Sequence, residues 1–230
     1  GYTVGADTSG IGINYIAQNF VNWNFKRAPG FFDEVCYTGN GYAQTLNHNL
    51  GVTPTLMIVK GRSVINNWRV YDSFNGPTKK GTLNADTAWD VQSTQWNDTA
   101  PTSTQFTVGS SNSASGETYV IYLFATCAGV SKVGSYTGNG STQTINCGFT
   151  GGARFLLIKR TDSTGDWYVW DTARGIVSGN DPHLSLNTTA ADAITVKVMQ
   201  NYSTSAASVV KGLFVCCFAC LLACLYCRIS

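Results

Sequence analysis

Tyr37-Thr38-Gly39-Asn40-Gly41 reads YTGNG, and the same five letters return from Tyr136 to Gly140, 99 residues further on. An Asn-Gly pair between two extended runs is the strongest short-range hairpin signal, because a two-residue type I′ turn needs positive φ at both central positions. "VCYT" from Val35 and "AQTLN" from Ala43 alternate well enough to be the two arms. The local expectation is therefore a β-hairpin closed by Asn40 and Gly41, with a second closed by Asn139 and Gly140.

Working outward, Tyr37 to Gly76 lies over Tyr136 to Gly175 without a gap. Gln44 and Thr45 meet Gln143 and Thr144, Asn47 meets Asn146, and Lys60 meets Lys159. Trp68, Val70, Asp72 and Gly76 meet Trp167, Val169, Asp171 and Gly175, while "LMIVK" from Leu56 faces "FLLIK" from Phe155. A period this long is too large for a solenoid turn and suits a whole β domain. The expectation is an all-β chain of tandem, jelly-roll-like β-sandwich modules with a period of about 99 residues. Residues 1–25 would be the closing strands of an earlier repeat in a longer protein. Residues 26–125 would be the first module, 126–211 a second with an atypical end, and 212–230 an apolar, Cys-rich tail.

Composition agrees with an all-β surface protein. Charged residues make up 12% of the chain, about half the usual quarter. Gly is abundant at 24, Pro is sparse at 5, and aromatics reach 12%. A net charge of +2 with no Lys/Arg stripe beyond Lys79-Lys80 leaves no electrostatic footprint for nucleic acid. The opening GYTVGADTSG lacks the basic and apolar runs of a secretory leader. Four Asn-X-Ser/Thr triplets, at Asn97, Asn139, Asn187 and Asn201, are of the kind that arises by chance in a Ser/Thr/Asn-rich chain.

"TLMIVKGR" is a continuous apolar run and predicts a strand covered on both faces. "TYVIYLFA" is apolar at seven of eight positions, which makes it a central strand, the second arm of a hairpin with "QFTVG". The stretch from Gly76 to Thr104 reads as a long excursion with one short strand. "NWRVYD" alternates: Trp68, Val70 and Asp72 share one face, Arg69 and Tyr71 the other. The face kept in both copies, with Trp68, Val70, Trp167 and Val169, is expected to be the packed core, Asp72 and Asp171 capping the turns that follow. The face that changes, with Tyr71 and Trp170, is expected nearer solvent.

Taken together, "WNFKRAPGFFDEVCYTGNG", "HNLGVTPTLMIVKGR", "NWRVYD", "WNDTAPTSTQFTVG" and "LIKRTDSTGDWYVWDTARG" resemble a repeated β-rich domain of unassigned biochemistry. That domain occurs in tail-fibre and other virion proteins of tailed bacteriophages, marine and cyanobacterial ones especially. The similarity runs from about Phe20 to about Thr189. It implies a place on the particle surface and carries no catalytic residues across.

The C-terminal run Leu213–Cys227 holds fifteen apolar residues, short of the twenty or so that a spanning helix wants. Its readings are a segment buried in an oligomer or docked as a replacement strand, a frameshifted or otherwise atypical end, or a lipid-modified or membrane-attached tail. Two C-x-x-C pairs only three residues apart do not fit a zinc ribbon. Cys36, Cys127 and Cys147 are too scattered for a disulfide framework and are expected to be free, buried thiols. His48 and His183 occupy non-equivalent positions, which favours structural roles. No Ser or Cys stands in a G-x-S-x-G frame, and the carboxylates sit mostly in turns. Asp162 and Asp166 of "TDSTGD" read as a polar loop rather than a calcium site. No enzyme activity, metal or cofactor is expected.

Exposed aromatics on β modules grip sugars, since a flat apolar face stacks on a pyranose ring. Tyr71, Trp89, Trp96 and Trp170 are the candidates for glycan or partner contact, against the alternative that they are core or interface rings. The expected function is a structural, adhesive tail-fibre or spike module on the virion surface, outside the cell. It would be homo-oligomeric, plausibly trimeric, and would contact other virion proteins and host-surface glycans, not membranes. The alternatives are a capsid decoration or head-fibre protein, and a secreted carbohydrate-binding module of a bacterial surface protein.

Overall fold

The computed structural model describes residues 3–6, 14, 16–17, 20–141, 143–175 and 182–190, with the backbone alone of 212–217. The chain divides into two compact units, Arg27–Ala219 and Gly1–Lys26 with Cys220–Ser230. In the smaller unit Asn14 Nδ2 donates to the Gly5 carbonyl at 2.8 Å. Its described residues contain a single bridge position, Asn24, where closing strands are expected. Residues 218–230 of the Cys-rich tail lie outside the described residues.

The larger unit is nearly all β. Its strands are β1 (Phe32–Thr38), β2 (Gln44–Asn47), β3 (Leu56–Gly61), β4 (Arg69–Asp72), β5 (Lys79–Thr82), β6 (Asp90–Val91), β7 (Gln105–Val108), β8 (Thr118–Phe124), β9 (Ser131–Tyr136), β10 (Phe155–Arg160), β11 (Trp167–Asp171), β12 (Leu184–Ser185) and β13 (Gly212–Cys217). Among the described residues the only α-helix is α1 (Ser93–Trp96). Three antiparallel sheets form: β1-β8-β3-β4-β5-β6, β12-β11-β10-β13-β9 and the ribbon β2-β7.

β8 lies between β1 and β3, as its unbroken apolar run requires, with Phe124 opposite both Phe32 and Leu56. A strand flanked on both sides has all its backbone groups paired and can bury both faces. β3 and β4 form a hairpin, Leu56 opposite Asp72. The excursion after Gly76 carries two short strands, β5 and β6, and the single turn α1 rather than one strand.

The hairpin expected at Asn40-Gly41 is not formed. β1 pairs with β8, and β2 pairs with β7 in a different sheet. Gly41 has φ +86°, but Asn40 is absent from the positive-φ residues, so a type I′ turn is ruled out. Instead the Asn40 Oδ1 accepts the Tyr42 N–H at 2.9 Å and Gln44 Nε2 donates to the Thr38 carbonyl at 3.1 Å. This Asx turn carries the chain from the large sheet across to the ribbon. The second copy repeats it: Asn139 Oδ1 accepts Ser141 N–H at 2.9 Å and Gln143 Nε2 reaches the Thr137 carbonyl at 3.0 Å. "QFTVG" and "TYVIYLFA" likewise part, β7 joining the ribbon and β8 the large sheet. The physical reason is burial. Leu46, Phe106 and Val108 on the ribbon close over Tyr37, Met57, Val59, Tyr71, Tyr119, Ile121 and Leu123 on the sheet, with Trp96 between them. Two local hairpins would have left that sheet face wet.

The second sheet has the order of the first. β13 runs between β9 and β10, Val215 opposite Val133 and Leu157, as β8 runs between β1 and β3. The backbone of "GLFVCC" thus takes a central place in this sheet. The small cluster Leu156, Ile158 and Trp170, packed with Tyr136 and Ile145, repeats Met57, Val59, Tyr71, Tyr37 and Leu46 at the 99-residue spacing.

Tyr71 and Trp170 therefore point into the packed interiors, opposite to expectation. Val70, Trp167 and Val169 on the other face are buried too, whereas Trp68 is only half-buried. Both faces of these strands are covered. The letters of the two copies carry which residues share a face but not which face is dry.

Candidate functional site

Two features of the larger unit could carry function: a dry seam between the two large sheets, and an exposed loop end on the first.

The seam starts from a corner after β5. Leu83 N–H donates to the Trp68 carbonyl at 2.9 Å, Trp68 N–H to Asn84 Oδ1 at 2.9 Å, and Ala85 N–H to the Thr82 carbonyl at 3.2 Å. This locked corner projects onto the second sheet. The indole N–H of Trp167 donates to the Thr82 carbonyl at 2.8 Å, and Gly165 N–H to the Asp86 carbonyl at 2.8 Å. Lys159 Nζ donates to the Asp86 carbonyl at 3.0 Å and also to the Gly165 carbonyl. The rings of Trp89 and Trp167 lie 6.3 Å apart. Trp89 sits flat over Gly81, where an added Cβ would come within 2.8 Å of the indole. The ammonium of Lys159, fully buried and 5.9 Å from the Trp167 ring, is held below the usual lysine range by burial, opposed by Asp86 and Asp166. A buried cation satisfied by fixed carbonyls favours one geometry, because any sliding of the sheets would strand it.

At the other feature, the end where β1 stops and β8 starts, three loops interlock. Gly39 N–H donates to the Glu117 carbonyl at 2.8 Å, Gly116 N–H to the Gly39 carbonyl at 3.0 Å and Gly41 N–H to the Ser113 carbonyl at 2.6 Å. Ser113 Oγ donates to Asn40 Oδ1 at 3.1 Å and accepts from Gln44 Nε2 at 3.0 Å. Ser63 Oγ donates to Glu117 Oε2 at 2.6 Å and accepts Thr118 N–H at 2.7 Å, tying in the β3–β4 loop. This braced surface presents Tyr42 at 76% exposure and Ile65 fully exposed among Asn, Ser and Gly.

The four aromatics expected at the surface are elsewhere. Tyr71, Trp89, Trp96 and Trp170 retain between 0 and 7% of their exposure. Tyr71 and Trp96 meet edge-on at 5.8 Å in the first core, Trp170 packs in the second, and Trp89 fills the seam. None offers a face to a sugar ring. Tyr42, Phe20 and Phe74 are the exposed rings among the described residues; Tyr42 stands on the braced loop end, and its only sequence signal is its place beside the Asn-Gly turn. The corner residues Thr82, Asn84 and Asp86 were also missed. "TLN" at 82–84 and "SLN" at 185–187 correspond, but at a spacing of 103 rather than 99, which hides them from a gapless comparison.

The remaining candidates have structural partners. His48 is buried; Leu50 N–H donates to its Nδ1 at 3.2 Å, so Nε2 carries the proton and faces the Thr102 carbonyl at 3.2 Å. His183 lies against Tyr168 and Trp170. Asp72 Oδ1 accepts the N–H groups of Phe74 and Asn75, each at 2.9 Å, and Asp171 Oδ1 accepts that of Arg174, so both cap their turns as expected. Asp162 Oδ1 pairs with Arg160 at 2.7 Å and Asp166 Oδ1 accepts Asn187 Nδ2 at 2.7 Å. Cys36 is exposed and Cys127 and Cys147 are half-buried, so they are not the buried thiols expected. No group of three or more His, Cys, Asp or Glu suited to a metal occurs among the described residues, and no helix there is long and apolar enough to cross a membrane.

Burial makes the first core sensitive to alkali. Tyr71 is pushed up to about 12 by burial, with Asp72 adding to it, and Tyr37 is raised further by burial and the neighbouring Tyr119. Unfolded tyrosines ionise near pH 10, so above that the unfolded chain binds fewer protons than the folded one and stability falls as pH rises. Tyr71 alone accounts for about 2–3 kcal/mol lost between pH 10 and 12. Denaturant titrations across that range are expected to show this decline, reduced in Tyr71→Phe; an unchanged midpoint would refute the burial argument.

The family model described as "Domain of unknown function (DUF7483)" matches residues 1–205, so the chain belongs to that family. No curated protein and no solved structure matches the chain.

Proposed function

We propose that this member of the DUF7483 family is a structural, adhesive component of a tailed-bacteriophage particle, a tail-fibre or spike segment built from tandem β-sandwich modules of jelly-roll type. In this reading the modules repeat at about 99 residues, sit on the virion surface as a homo-oligomer, and meet other virion proteins and host-surface glycans through their loop ends. The observation that carries it is the seam. Two sheets of the same strand order are joined through fixed carbonyls, a buried lysine and paired tryptophans. Such a joint transmits load and restricts rotation, which a fibre needs and a freely tethered binding module does not. The braced loop end with Tyr42 and Ile65 supplies an adhesive surface, Tyr42 offering the exposed ring that stacks on sugars.

Mass spectrometry of purified particles is expected to find the chain as a stoichiometric component, and its absence there would remove the proposal. For the adhesive part, a glycan array probed with the chain and with Tyr42→Ala should show binding that the substitution weakens. Binding unaffected by Tyr42→Ala would move the contact away from this loop end.

A further inference from the structure

The corner that forms one half of the seam is built twice, and so is the surface that receives it. Beside β12, Leu186 N–H donates to the Trp167 carbonyl at 2.9 Å, Trp167 N–H to Asn187 Oδ1 at 2.8 Å, and Thr188 N–H to the Ser185 carbonyl at 3.4 Å. Asn187 Nδ2 reaches Asp166 Oδ1 at 2.7 Å, as Asn84 Nδ2 reaches Asn67 Oδ1 at 3.0 Å. Bond for bond this is the Thr82–Asp86 corner, with Ser185 in the place of Thr82. Among the described residues no indole donates to the Ser185 carbonyl, and Thr188, Thr189 and Ala190 beside it are exposed.

The receiving surface is repeated in the same way. Lys60 Nζ donates to the Asn66 carbonyl at 2.5 Å, as Lys159 does to that of Gly165. Trp68 stands at the equivalent of Trp167 and lies 6.5 Å from Tyr122, but it is half-buried where Trp167 is sealed. Its indole N–H has no acceptor among the described residues. Where Lys159 draws a second acceptor from Asp86, Lys60 takes one from the Asn66 side chain at 3.2 Å. The lysine on this face is thus satisfied before anything docks, so the face is stable in water, and a newcomer has only to seal the tryptophan.

We infer that the Trp68 face of one copy receives the Ser185–Ala190 corner of a second copy, reproducing between chains the seam seen within one. Among the described residues one surface of each kind is filled and one of each is open, so the contact between copies of this chain is heterologous and repeats head to tail into an open array. The inference rests on the reading of the two sheets as repeats of one module.

The test is sedimentation of the full chain over a concentration series under reducing conditions. Wild type is expected to associate progressively. Trp68→Arg and Thr189→Arg each abolish association, yet an equimolar mixture of the two forms dimers and nothing larger, because each variant keeps the half the other has lost. Trp68→Phe retains the ring and loses the N–H, and weakens association by about fivefold. A wild type that stays monomeric, association untouched by either substitution, or a mixture that does not dimerise overturns the inference. Trp68→Phe also guards against misfolding, since it leaves the packing in place. The seam gives a separate readout for the underlying reading: if Trp89 and Trp167 show no energetic coupling within one chain, the repeated-module reading fails. If they couple while wild type remains monomeric, only the contact between copies fails.

Discussion

Trp167→Ala is expected to lower the folding free energy by about 3–5 kcal/mol, while Trp68→Ala, at the equivalent position of the first sheet, is expected to cost about 1–2 kcal/mol. The two residues share flanking letters, Trp-x-Val-x-Asp in both cases, although Trp167 opens β11 whereas Trp68 lies just before β4. They differ in what lies over them. Trp167 is fully enclosed, its N–H bonded to the Thr82 carbonyl at 2.8 Å and its ring against Trp89. Removing it opens a cavity in a dry joint and takes away one of the two donors to the Thr82 carbonyl, which keeps the Ala85 N–H. Lys159 would keep its carbonyls but lose the ring beside it. Trp68, half in water, leaves a groove that solvent refills. Equilibrium urea unfolding of both variants gives the comparison, and equal losses would mean that the seam adds nothing. A double-mutant cycle with Trp89→Ala is expected to return a coupling of about 1 kcal/mol, the usual range for a buried aromatic pair.

Gly39→Ala is expected to cost about 3 kcal/mol, the upper part of the range for forcing extra volume into a packed site. The first glycine of YTGNG lies so close to the facing loop that a Cβ would stand 2.2 Å from the Ala114 carbonyl oxygen and 2.6 Å from the Ser113 carbonyl carbon. Both are backbone atoms, so no side-chain rotation relieves the clash, and the bonds from Gly39 to Glu117 and from Gly116 to Gly39 would have to stretch. Gly51→Ala serves as the contrast. Nothing lies within 4 Å of a Cβ there, but φ is +75°, so its cost is the left-handed penalty alone, about 1–2 kcal/mol. Should Gly51→Ala prove the more damaging of the two, the close approach of the loops at Gly39 would be wrong. Loss of order at this end is also expected to weaken any contact made through Tyr42.

Much of this fold was legible in the letters. The apolar runs located β3, β8 and β10, and the Asp-to-Gly spacing located the turns after β4 and β11. Part of the backbone of the apolar C-terminal run lies as a strand in the second sheet, one of the readings its letters allow. What failed were the pairings around the Asn-Gly turn and the direction of Tyr71 and Trp170. The candidate site was largely illegible for a related reason: Thr82 and Asp86 act through backbone carbonyls, which leave no side-chain signature, and Trp89 looks like any other loop tryptophan.

The sequence by itself determined that the chain is β-built, that its letters recur at a fixed spacing, and that alternate residues of each strand share a face. Those properties are local, set by the two-residue repeat of an extended backbone and by the conformational demands of Gly and Asn. Only the tertiary structure decided which face is dry and which strands pair. Alternation looks the same when the two faces are exchanged, and a turn's letters do not state whether its flanking strands pair with each other or with segments seventy residues away. The choice belongs to whichever arrangement buries the most apolar surface, a sum over the whole chain that no single stretch contains.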